Sequence, residues 1–93
     1  MSAIGLESVP RLVRGCRLSK TEGQENMLLI PEGALKLQGP SREIVLLCDG
    51  VRAVAAIAAE LQQRYSTMDP ARIEAEVIGF LSRLHEKRII ECV

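Results

Sequence analysis

Ring side chains are almost missing from this chain: one Phe, one Tyr and no Trp among 93 residues, 2% against 47% apolar overall. A core anchored on stacked aromatics is thereby excluded, and Leu, Ile, Val and Ala must fill it by close helix packing. Net charge is missing too. Twelve basic and twelve acidic side chains cancel, which removes the long-range attraction that a nucleic acid or an anionic membrane would exploit. Apolar runs stay well below the roughly 20 residues that span a bilayer, and the first residues lack the charged flank and apolar centre of a secretory signal, so a cytoplasmic protein is expected. Cysteine is sparse and odd in number. Cys16, Cys48 and Cys92 are widely spaced, which favours free thiols over a disulfide framework. With His85 they could supply four zinc ligands, but no two cysteines are close enough for the local knuckle of a structural zinc site. Cys48 reads instead as a small core residue on an apolar helix face, and Cys16 and Cys92 as packing residues in strand-like runs. His85 has neither a nucleophile nor a paired carboxylate near it in the sequence, so no catalytic centre, cofactor or metal is expected.

What is present organises the chain as one small domain over residues 10–93, preceded by an arm at 1–9 without strong periodicity. A domain of this size buries only about two-thirds of its unfolded surface, so stability should be modest and a partner or second copy could matter. Behind Pro10, residues 12–20 read as a short strand with a mixed pattern, and the polar run 21–26 as a turn. Met27-Leu28-Leu29-Ile30 is a second strand. After the turn Pro31-Glu32-Gly33, the segment Ala34-Leu35-Lys36-Leu37-Gln38 alternates, with Leu35 and Leu37 on one side and Lys36 on the other. Three successive strands imply an antiparallel meander.

The period then becomes helical. Ser41 stands near the start of a helix through Leu47, with Pro40 tolerated in its first turn. Within it Ile44, Leu47 and Cys48 share one face, and Asp49-Gly50 supplies the left-handed stop. A second helix over 54–65 buries Val54, Ile57, Ala58 and Leu61 at i, i+3, i+4 and i+7. Asp69 is a good N-cap and Pro70 fits the first position of a third helix, whose apolar face carries Ile73, Val77, Phe80, Leu81 and Leu84, while Arg72, Glu76, Arg83 and Lys87 keep to its more polar sides. Residues 88–93 have strand propensity, and either pair with the sheet or project outward. The fold class expected is α+β: a winged helix-turn-helix-like domain with an N-terminal three-stranded antiparallel sheet followed by three helices.

Pro10, Leu12, Gly15, Arg17 and Leu18, then Leu28-Leu29 before Pro31-Glu32, then Leu35 and Leu37, then Leu47-Cys48-Asp49-Gly50 with Val54, Ile57 and Leu61, together resemble the pyrroloquinoline quinone (PQQ) biosynthesis protein D family. No single piece is specific; their order and spacing from residue 10 to about 88 are. Two positions depart from the family pattern. Ala53 stands where a Thr tends to cap the second helix, and Gly39-Pro40 replaces an Asn-containing turn. The resemblance implies a non-catalytic chaperone of the recognition-element type. Such a protein binds a ribosomally made precursor peptide (PqqA) and presents it to a radical S-adenosylmethionine enzyme (PqqE).

Strand addition supplies a physical route. A three-stranded meander leaves an unpaired edge that can take an extended peptide as a fourth strand. The expected edge is Ala34, Leu35, Lys36, Leu37 and Gln38, with Val77, Phe80, Leu81 and Leu84 of the third helix as an apolar groove and Arg83 and Lys87 at its rim for acidic peptide groups. The plainer alternatives stay open here. An apolar helix stripe is most often simple core, which applies to Val77 and Leu81 above all; Phe80 is the better groove residue, and Arg83 and Lys87 are also what a solvated face looks like. Tyr65 and Arg17 read as structural. Two other function classes are a winged-helix DNA-binding protein, disfavoured because neither long helix offers a basic face, and a structural dimerisation module. The monomer is the expected working form, with a homodimer by edge-strand pairing or segment exchange as the competing use of the same edge.

Overall fold

Gly15 breaks the strand expected over residues 12–20. It sits at φ 96°, a left-handed conformation that a residue with a β-carbon adopts only at a cost, and the Cys16 N–H closes the turn on the Val13 carbonyl at 3.0 Å. The computed structural model, which describes residues 4–93, therefore has two short strands there, β1 (Pro10–Leu12) and β2 (Arg17–Leu18). They are followed by β3 (Met27–Ile30), β4 (Gly33–Lys36), α1 (Ser41–Leu46), α2 (Val54–Arg64), α3 (Pro70–Glu86) and β5 (Ile90–Cys92). The antiparallel meander is β2-β3-β4. β1 leaves it and pairs antiparallel with β5, Pro10 opposite Cys92 and Leu12 opposite Ile90. The C-terminal segment thus neither joins the three-stranded sheet nor projects outward.

The core is aliphatic, as the missing aromatics require. Leu28, Val54, Ile57, Leu61, Val77, Leu81 and Ile90 are at most 1% exposed, while Phe80 and Tyr65 pack only against its margin. The 3.6-residue spacing produces this in α2 and α3, whose buried residues are Val54, Ile57, Ala58 and Leu61, and Ile73, Val77, Leu81 and Leu84. α3 begins as its sequence dictates. Pro70 occupies the first turn, and Asp69 Oδ1 accepts the Ala71 N–H at 3.1 Å.

α2 has no side-chain cap at Ala53. Its first N–H groups, from Val54 and Ala55, donate instead to the carbonyls of Ser8 and Leu6, at 2.8 and 3.0 Å. The backbone before β1 does the work of the absent Thr, satisfying donors that a helix start would otherwise leave open. Gly50 stops the α1 segment at φ 77°, where an added β-carbon would lie 3.4 Å from Arg11 Cβ.

Cys48 is a core thiol, 7% exposed, donating its S–H to the Ile44 carbonyl at 3.2 Å. Burial, and secondarily the adjacent Asp49 carboxylate, pushes its pKa up from 9.0 to about 12. Between those values the native state holds a proton that the unfolded chain has released, so stability falls as pH rises, at about 1.4 kcal/mol per pH unit. Denaturant midpoints should therefore drop steadily above pH 9, and Cys48→Ala should flatten that decline. Equal slopes for both proteins would show that the thiol stays accessible to base.

Candidate functional site

The free edge of the meander can be read bond by bond. The Leu37 N–H donates to the Asn26 carbonyl at 2.7 Å, and the register continues with Met27 opposite Lys36, Leu28 opposite Leu35 and Leu29 opposite Ala34. Antiparallel pairs alternate between hydrogen-bonded and non-bonded, so Leu35 bonds inward while Ala34 and Lys36 turn their N–H and C=O groups away from β3. Met27 agrees with this, since its carbonyl turns to β2 and accepts from Ser19 at 2.8 Å. β2 is the other edge of the sheet, but only two residues long. β4 is the edge with room for a partner strand.

Beside it runs a trough walled by α3. Arg72, Glu76, Gly79, Phe80, Arg83 and Lys87 recur at i, i+4, i+7, i+8, i+11 and i+15, one helix face about 22 Å long at 1.5 Å per residue. Its first part is an open depression of about 540 Å³ between Phe80 and Arg83 on one side and Pro40 and Ser41 at the start of α1 on the other. Its second part, about 520 Å³, lies between Leu35 of β4, the exit of α3 at Lys87 and Arg88, and the β1–β2 turn at Arg14. A small apolar recess of about 80 Å³ beside Tyr65 and Met68 adjoins the first part through Pro40 and Ile44. Cations predominate along this trough in a chain of zero net charge. Arg83, Lys87, Arg88 and Arg14 line it with Glu32 and Glu76, and Glu76 is already drawn to Arg72 at 3.4 Å.

The residues expected at a site divide into two groups. Ala34 and Lys36 are exposed along the edge, Gln38 is exposed but lies two residues beyond the end of β4, Leu35 is half-buried in the second depression, Phe80 and Arg83 line the first, and Lys87 lines the second. Leu37, Val77, Leu81 and Leu84 are buried, at 5%, 1%, 0% and 4% exposure. They form the core beneath the trough rather than its surface, because α2 and β5 pack over that side of α3. Sequence reasoning did not single out Pro40, Ser41, Gly79, Arg14 or Arg88. Gly79 shares the α3 spacing that a solvated face also shows, while Pro40, Ser41, Arg14 and Arg88 lie outside α3 and reach the trough only through the tertiary fold.

Among the described residues no three His, Cys, Asp or Glu side chains gather as a metal site, so the zinc grouping of Cys16, Cys48, Cys92 and His85 does not assemble. Cys16, at the floor of the second depression, has its thiol pKa raised by desolvation and then by Glu32, the opposite of an activated nucleophile. No helix among the described residues is long and apolar enough to cross a membrane.

This architecture has known counterparts. The family model for Coenzyme PQQ synthesis protein D (PqqD) matches residues 25–90. The PqqA binding protein of Pseudomonas aeruginosa strain UCBPP-PA14 is 40% identical over 92 residues, 98% of each chain. That of Azotobacter vinelandii is 38% identical over the same length and shares of both chains. The solution NMR structure of the PqqD truncation of Methylobacterium extorquens PqqCD represents a functional, stand-alone recognition element for ribosomally synthesized and post-translationally modified peptides. It superposes with a TM-score of 0.80 at 38% identity, over 97% of this chain and 96% of that one. An α+β domain with its sheet at the front, three helices behind, and these matches along almost its whole length belongs to the PqqD family of peptide-recognition elements.

Proposed function

We propose that this chain is a peptide chaperone of PQQ biosynthesis, which binds the precursor peptide PqqA by strand addition to β4 and presents it to the radical S-adenosylmethionine enzyme PqqE without chemistry of its own. The observation that carries this reading is the outward-facing backbone of Ala34 and Lys36 alongside the α3 trough. Main-chain bonds to that edge give affinity, and alternate peptide side chains descend toward Leu35 and Phe80, with Arg83 and Lys87 at the rim. Leu37, Val77, Leu81 and Leu84 support the groove from below. The names of the relatives, as PqqA binding proteins, point the same way. Ordering a disordered peptide costs about 2–5 kcal/mol, so binding of moderate strength suits a carrier that hands its cargo on.

The monomer is the peptide-binding form in this reading, because a second copy paired at β4 would occupy the same edge. Titrating ¹⁵N-labelled protein with unmodified PqqA tests it. Saturable amide shifts are expected at Ala34 and Lys36 and along Phe80, Arg83 and Lys87. Shifts confined to the far side of the domain, or none at high peptide excess, would sink the proposal.

A further inference from the structure

Glycines apart, Arg88 is the only described residue with a positive φ, 60°. It stands where α3 ends in a two-bond closure: the Arg88 N–H donates to the His85 carbonyl at 3.0 Å and the Ile89 N–H to the Leu84 carbonyl at 2.9 Å. That closure needs a left-handed residue at position 88, and glycine is its usual occupant because a β-carbon crowds the backbone there. Gly would end the helix with less strain. Arg instead sets a long cation on the rim of the second depression, next to Lys87.

The opposite rim is fixed by backbone. The Val13 N–H donates to the Ile89 carbonyl at 2.9 Å, which holds the β1–β2 turn against the exit of α3 and brings Arg14 to the same depression. Ile30 and Leu35 make its floor apolar, and Glu32 is the one carboxylate among the side chains that line it. None of Arg14, Lys87 and Arg88 belongs to an ion pair among the described residues. The C-terminus of α3 contributes about half a negative charge, which three cations outweigh. A strand laid along β4 past Lys36 and Ala34 runs toward the Pro31-Glu32 turn, into this cluster.

We propose that Arg88, with Arg14 and Lys87, is a cationic clamp that takes a carboxylate of the bound peptide at the Ala34 end of the β4 edge, so that the trough selects an acidic segment. This rests on the peptide-binding reading above and adds the chemistry it selects. A guanidinium can grip a carboxylate with two parallel bonds, and because all three cations are exposed the grip should weaken as salt rises.

The test uses synthetic PqqA and the same peptide with every Glu and Asp replaced by Gln and Asn, titrated into wild type, Arg88→Gly and Arg88→Lys. Wild type should bind the amide peptide about tenfold more weakly, roughly 1.4 kcal/mol. Arg88→Gly should lose about tenfold toward the native peptide and nothing more toward the amide peptide, with Tm unchanged or raised because the strain is relieved. Arg88→Lys, which keeps strain and charge but loses the two-bond grip, should fall between wild type and Arg88→Gly. The clamp is overturned if Arg88→Gly binds the native peptide like wild type, or loses affinity and Tm together. If wild type binds both peptides equally, peptide recognition stands and the clamp falls; if it binds neither, both fall.

Discussion

Lys36→Pro should cost at least tenfold in affinity for PqqA, about 1.4 kcal/mol, while leaving thermal unfolding nearly where it was. The reasoning is positional. Lys36 faces Met27 in a non-bonded pair, so its N–H is not used by the ladder and proline removes nothing from the sheet. The same N–H is what an added strand would bond, and the proline ring would stand where that strand's carbonyl must approach. Edge strands tolerate proline at such positions, and Lys36 is the last residue of β4. Lys36→Gln separates the lost charge from the blocked edge and should change affinity far less. Leu35→Pro removes an inward ladder bond one residue away and should unfold the hairpin. Circular dichroism melts and calorimetric titrations on these three variants check the prediction. Wild-type affinity in Lys36→Pro would show that the peptide does not bind by strand addition at β4.

The parts of this fold with a regular period were legible in the sequence. Val54, Ile57, Ala58 and Leu61 placed α2, which ends one residue short of the expectation, and Asp69-Pro70 placed the start of α3. The β3–β4 hairpin likewise followed from alternation and its Pro31-Glu32 turn. What escaped depends on contacts between distant segments. One left-handed residue, Gly15, turns an apparent strand into two whose partners lie at opposite ends of the chain. The capping of α2 by Leu6 and Ser8 has no local trace, since it replaces a side chain by backbone from 46 and 49 residues away. For the site, period alone cannot divide one apolar stripe into core and surface. Val77, Leu81 and Leu84 point at α2 and β5, whereas Phe80 lies at the boundary of the buried face and the trough, and only the packed neighbours decide it.

That boundary gives the second large expected effect. Leu37→Asp should abolish the folded state, although Leu37 sits next to an edge residue in an alternating strand. It is 5% exposed, and its N–H holds the end of the hairpin to Asn26 just before α1 begins. A carboxylate there either stays ionised without a partner or takes a proton, and both routes cost several kcal/mol. A domain of this class has about 5–15 kcal/mol in total, and one of 93 residues with few aromatics belongs toward the lower end. Far-UV circular dichroism at 25 °C should show loss of the cooperative transition. Phe80→Ala should behave in the opposite way. Its ring is half-buried on the trough wall, so truncation costs about 1–2 kcal/mol of stability by removing part of its burial. It should cost tenfold or more in PqqA affinity, as loss of an aromatic anchor does. A stable Leu37→Asp would show that this strand rotates its Leu face to solvent. A Phe80→Ala protein that loses stability but binds normally, once corrected for its folded fraction, would assign the ring to the core and move peptide recognition off the α3 wall.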